Sequence, residues 1–267
     1  MLRNIFLKVL RDQRRAFIWW CLGLALLTLY VVLLYPSIHQ NSAQFSKMVN
    51  SLPEALRNAF LGESGDFSSP TGFLNSELFF MMLPLIFLFY AIGMGSKAIA
   101  GEEERGTLDL LASYPLRRYR IATGKFAALA AATGALAFVF WLTLTLGGMA
   151  VKIEIGWGRM AEATLSAALL GLAFGSIALM LGCAFGKRGL ATGVTSALAV
   201  GSYLLNSLAP SVKGIKPYRI LSLFYYNAGG NPLVNGLNGW HVLVFCTVTA
   251  VCLAAALWAF DRRDLSV

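Results

Sequence analysis

The chain has 267 residues, of which 57% are hydrophobic and only 13% charged, and its mean hydropathy is +0.66. That composition excludes a soluble globular domain. A net charge of +9 would suggest nucleic acid in a soluble protein. In a chain built of apolar blocks, the position of each charge matters more than the sum.

Segment 1–15 opens the chain as an amphipathic helix at the membrane surface. Ile5, Phe6, Val9 and Leu10 fall on one side, while Arg3, Lys8, Arg11, Arg14 and Arg15 can reach anionic headgroups. The first apolar block, 16–35, is too long for a cleaved leader and lacks a small-x-small cleavage pattern, so it reads as a span closed by Pro36. Ser51-Leu52-Pro53-Glu54 then forms a capping box. Leu52, Ala55, Leu56, Ala59 and Phe60 follow at helical spacing and Gly62 is a natural stop, which predicts a short amphipathic helix on the outer surface.

The second block, 73–100, carries Glu77 near one end and Lys97 near the other, with a kink expected at Pro84. Further blocks occupy 126–151, 163–186, 189–212 and 242–260. Each meets the roughly 20 residues needed to cross a bilayer core. The expected fold is therefore all-α and integral to the membrane, one domain over 1–267 with six transmembrane helices. Between the last two blocks, 220–228 is apolar and aromatic and Gly229-Gly230-Asn231-Pro232 interrupts it, as in a re-entrant or interfacial element of undecided depth. Gly171-xxx-Gly175, Gly182-xxx-Gly186 and Gly189-xxx-Gly193 permit close helix approach.

Fifteen of the 22 basic residues fall on one side of this topology. They are Arg3, Lys8, Arg11, Arg14, Arg15, Lys97, Arg105, Arg117, Arg118, Arg120, Lys125, Lys187, Arg188, Arg262 and Arg263. The positive-inside bias thus places both termini in the cytoplasm, as an even number of spans demands.

Catalytic chemistry finds no foothold. No GxxxxGK[ST] loop is present, and Thr123-Gly124-Lys125 lacks the preceding glycine spacing. There is no HExxH and no Ser/His/Asp set. Cys21, Cys183, Cys246 and Cys252 lie in apolar blocks without a CxxC pair, and His39 and His241 are isolated at span edges, so no metal site is expected. The middle of every span is uncharged, whereas ion-coupled carriers keep an ionisable residue near the midplane. Energy for any transport would come from another chain.

The most informative segment is the loop 101–120. Glu102, Glu103 and Glu104 precede Arg105 and Gly106, and Thr107 to Ser113 is long enough for about two helical turns with Leu108 and Leu111 on one side. Tyr114-Pro115 ends it. Acidic residues contribute little to topology, so three in a row favour a protein contact over interfacial charge.

Glu102-Glu103-Glu104-Arg105-Gly106-Thr107-Leu108-Asp109-Leu110-Leu111, then Pro115-Leu116-Arg117-Arg118 and Gly124-Lys125, resembles the hallmark loop of ABC-2 type transporter permeases. The ending Asp261-Arg262-Arg263-Asp264-Leu265 is similar to the endings of that family too. The resemblance implies a permease subunit of an ATP-binding cassette exporter in a bacterial or archaeal cell membrane, and the uncharged pathway suggests a hydrophobic or amphipathic substrate such as a drug, antibiotic, peptide or lipid. The resemblance also implies two paired permeases, a second copy or a related chain, each docked on an ATP-binding subunit that holds the ATP and Mg, with no cofactor in this chain. By position, 1–15 would be the connecting helix and 107–113 the cytoplasmic coupling helix. Glu102, Glu103, Glu104, Arg105, Gly106, Thr107, Leu108 and Leu111 would serve docking and coupling. Phe80, Leu83, Phe87, Thr195, Ala199 and Asn206, in the second and fifth spans, would be candidate pathway residues. The alternative is a scaffold whose loop anchors a soluble partner without transport; an intramembrane enzyme ranks last.

Overall fold

The computed structural model describes residues 5–41, 47, 51–53, 56, 69–107, 117–153, 155–212 and 214–263. Among them every regular element is helical and there is no strand. Six long helices run α1 (Ile5–Gln40), α2 (Pro70–Ala98), α3 (Arg118–Ala150), α4 (Trp157–Phe185), α5 (Arg188–Leu208) and α6 (Gly239–Arg262).

Five of these, all but α5, are long and apolar enough to cross a membrane. The fifth block is a helix of 21 residues, but its Gly, Ser, Thr and Asn residues dilute its hydropathy. Its buried face is small or polar, with Ala191, Thr195, Ala199, Asn206 and Ser207, while Leu190, Val194, Leu198, Val200 and Leu204 point outward. Its apolar character sits on the exposed face.

Segment 5–15 continues into the first span as one helix, without an interruption, and the whole of α1 rises about 54 Å. The chain does not stop at Pro36, which lies inside α1 one turn from its end. Proline's fixed φ is compatible with a helix, but its missing N–H removes one backbone bond and its ring crowds the carbonyl a turn earlier, and here only one further turn follows. The irregularity of α2 lies ahead of Pro84: Asn75–Met82 is a π-helix and Leu83–Ala98 returns to α geometry. The Leu83 N–H reaches back to Leu78 O, five residues away. Pro84 has no donor for the carbonyl one turn before it, and the wider π turn absorbs that gap. The predicted outer helix after Ser51 lies outside the described residues apart from 51–53 and 56.

The tightest pairing joins α2 and α4. A Cβ added at Gly171 would lie 2.7 Å from Phe87 Cβ, and one at Gly175 would lie 3.0 Å from Ala91 Cβ, while Gly95 is pressed against the Gly175 carbonyl. Small residues let the two backbones approach in this way. Gly189 and Gly193, in contrast, face open space. Phe73, Phe87, Phe140 and Leu144 fill a core shared by α1, α2, α3 and α4, and Phe174, Phe224 and Phe245 fill a second one among α2, α4, α5 and α6.

The segment between α5 and α6 folds as a 3-10 turn Lys216–Leu221 and short helices Leu223–Ala228 and Pro232–Asn235. It packs into the bundle. Ser222 Oγ donates to Ser202 O at 2.6 Å, Leu223 N donates to Ser202 Oγ at 3.0 Å, and Ser166 Oγ donates to Asn227 Oδ1 at 3.0 Å. Phe224 is buried, its ring 5.3 Å from that of Tyr203 and 6.4 Å from that of Phe174.

Candidate functional site

Alternating helix direction brings the start of α1, the end of α2, the start of α3, the end of α4, the start of α5 and the end of α6 to one end of the bundle. Ile5, Ile99, Ile121, Cys183, Ala256 and Phe260 form a third apolar cluster there. The acidic run sits directly on it.

After α2 the chain makes a helical turn, Ala100–Glu103, and stops at Gly106. Gly106 adopts φ +66, a left-handed value that costs glycine nothing. Its N–H donates to Glu103 O at 2.9 Å, and the Thr107 N–H donates to Glu102 O at 2.9 Å. This paired closure is the Schellman motif. It fixes the backbone at Gly106 and Thr107. Leu108 and Leu111, with the rest of the expected coupling helix through Ser113, lie outside the described residues.

The three carboxylates have partners within the chain, and each goes to a different helix. Glu102 pairs with Lys125 of α3, whose ammonium also donates to Ala98 O at the end of α2. The Lys125 side chain is only 2% exposed. Glu103 pairs with Arg263, just past α6, and Arg263 Nη1 also donates to Cys183 O near the end of α4 at 3.3 Å. Glu104 Oε1 accepts from the Arg188 N–H at 2.8 Å, satisfying one orphan donor at the start of α5. Arg118 of α3 donates to Phe260 O at 3.2 Å and to Arg263 O at 2.6 Å, placing a cation against the last carbonyls of α6. Glu104, Arg105, Gly106 and Thr107 are exposed, whereas the Glu102 and Glu103 side chains are 26% and 14% exposed.

The sequence places Lys125 and Arg263 in the positive-inside count and in the stretches that resemble the family, and pairs neither with the acidic run. The available signal was Lys125 itself: it opens an uncharged run of α3, where a solvated lysine has no reason to be.

The six candidate pathway residues separate. Leu83 and Phe87 are buried in the core shared by the first four helices, with Phe87 beneath Gly171. Phe80 lies 6.5 Å from the Tyr203 ring. Thr195 is buried, and Asn206 Oδ1 accepts from Arg219 Nε at 3.0 Å. Ala199 lines a hollow of about 260 Å3 between α2 and α5, together with Leu88, Ile92, Thr192, Ser196, Tyr203 and Phe224. Its walls are almost wholly apolar. Among the described residues no cluster of His, Cys, Asp or Glu could hold a metal, and all four cysteines are free thiols.

A helical bundle with several apolar membrane-crossing helices and one ion-paired end defines a multi-pass membrane protein. A family model described as "ABC-2 family transporter protein" matches residues 3–265, and the chain belongs to that family. It is a membrane component of the transporter and not itself an ATPase. The comparison with curated proteins gives no match.

Proposed function

We propose that this chain is the permease subunit of an ATP-binding cassette exporter. It crosses the membrane six times with its charged end in the cytoplasm. The family match over nearly the whole chain carries this reading. Fifteen of the 22 basic residues on one side support the orientation, and α5 would span as the fifth helix, with its small, polar face turned inward. A separate subunit would hydrolyse ATP and push on 107–116 beside the exposed Glu104, Arg105 and Thr107. A second copy or a related permease would complete the pathway.

The apolar hollow between α2 and α5 supports a hydrophobic or amphipathic cargo, because a charged solute would find few polar partners there. Ala199 lines that space, and Phe80 lies beside Tyr203, another residue of its lining. Leu83, Phe87, Thr195 and Asn206 would reach cargo only after the helices shift.

The test is affinity purification of the tagged chain from its native membrane. A P-loop ATPase should co-purify in stoichiometric amount, and Arg105→Glu with Leu108→Asp should reduce its recovery. Purification of the chain without any ATPase, or recovery untouched by both changes, would contradict the assignment.

A further inference from the structure

We infer that Glu102, Glu103 and Glu104 are positioning residues: they clamp the foot of α2 to α3, α6 and α5, so that a displacement of the segment after Gly106 reaches all these helices at once. This rests on the proposed coupling role of that segment. Successive residues on a helical turn point about 100° apart, so three adjacent carboxylates can reach three separate neighbours. Here they do so: Lys125 of α3, Arg263 at the end of α6, and the first N–H of α5. Arg263 extends the chain of contacts to α4 through Cys183 O, and Arg118 ties α3 to α6.

Three features separate this arrangement from ordinary surface ion pairs. Lys125 is almost fully enclosed and Glu103 largely so. The ring stands on the packed apolar floor of Ile99, Ile121, Cys183 and Phe260. Finally, the ring adjoins the Schellman closure at Gly106, so Gly106 and Thr107, where the proposed coupling segment begins, are bonded directly to the clamp residues. A push applied there cannot move α2 alone without breaking charge pairs in a poorly solvated setting.

Hydrogen exchange in lipid nanodiscs tests this in two arms. In the chain alone, Glu103→Gln should speed amide exchange about tenfold at 256–263 and 182–186, leaving 118–125 and 188–191 near wild type. Glu102→Gln should act on 118–125 and Glu104→Gln on 188–191. Glu103→Arg combined with Arg263→Glu should restore protection. In the complex with its ATP-binding subunit, ATP and vanadate should alter exchange at the ends of α3, α5 and α6 together. Glu103→Gln should remove that response from α6 while α3 and α5 keep it and the ATPase remains bound; a purely structural pair would leave the nucleotide response in place. Uniform loss of protection by each variant, or an unchanged response at 256–263, would overturn the clamp. A wild-type complex with no nucleotide response anywhere would overturn both the coupling role and the transporter reading, a result distinct from failure of the chain-alone arm.

Discussion

Lys125 shows how much one residue's surroundings decide. Its side chain is 2% exposed and holds both Glu102 and Ala98 O. Breaking a buried pair by removing one partner costs about 3–5 kcal/mol, whereas replacing both with apolar groups is often neutral. Lys125→Met should therefore lower the melting temperature in lipid sharply, and Glu102→Met added to it should recover most of the loss. Glycines divide in the same way. Gly171→Leu must displace Phe87, an overpacking cost of about 1–3 kcal/mol, while Gly193→Leu enters open space. Thermal unfolding should rank the first far below the second, and equal tolerance would contradict the close α2–α4 contact.

At the scale of elements, five of the six apolar blocks fall in helices long and apolar enough to cross a membrane, because a bilayer sets a length and demands internal backbone pairing. The reach of hydropathy ended where composition and packing part company. Block 189–212 meets the length requirement, yet Gly, Ser, Thr and Asn weaken the helix Arg188–Leu208 as a span by composition. Proline at 84 signalled an irregularity, but the π turn precedes it, because the missing donor is felt one turn upstream. The acidic run was visible as unusual. Its partners were not: Lys125 and Arg263 lie 23 and 160 residues from Glu102 and Glu103 in sequence, and only the folded bundle brings those ends together. The aromatic segment after α5 was recognisable, while its anchoring through Ser202, Ser222, Ser166 and Asn227 was not, since isolated serines carry no directional signal. Ser202→Ala would orphan the Leu223 N–H at a cost of about 1–3 kcal/mol. Faster amide exchange over 223–228, with α6 unaffected, is the expected result.

For the whole molecule, the described structure contains a bundle, an ion-paired end and an apolar hollow. Membership of the ABC-2 family supports the proposal that work is delivered by a separate ATP-binding subunit. The most direct test reconstitutes the chain with its co-purified ATP-binding subunit in liposomes loaded with hydrophobic dyes and fluorescent lipids. ATP should drive movement of at least one probe, and a Walker-lysine substitution in the ATP-binding subunit should abolish it. Equal movement by the chain alone, without nucleotide, would contradict the central claim.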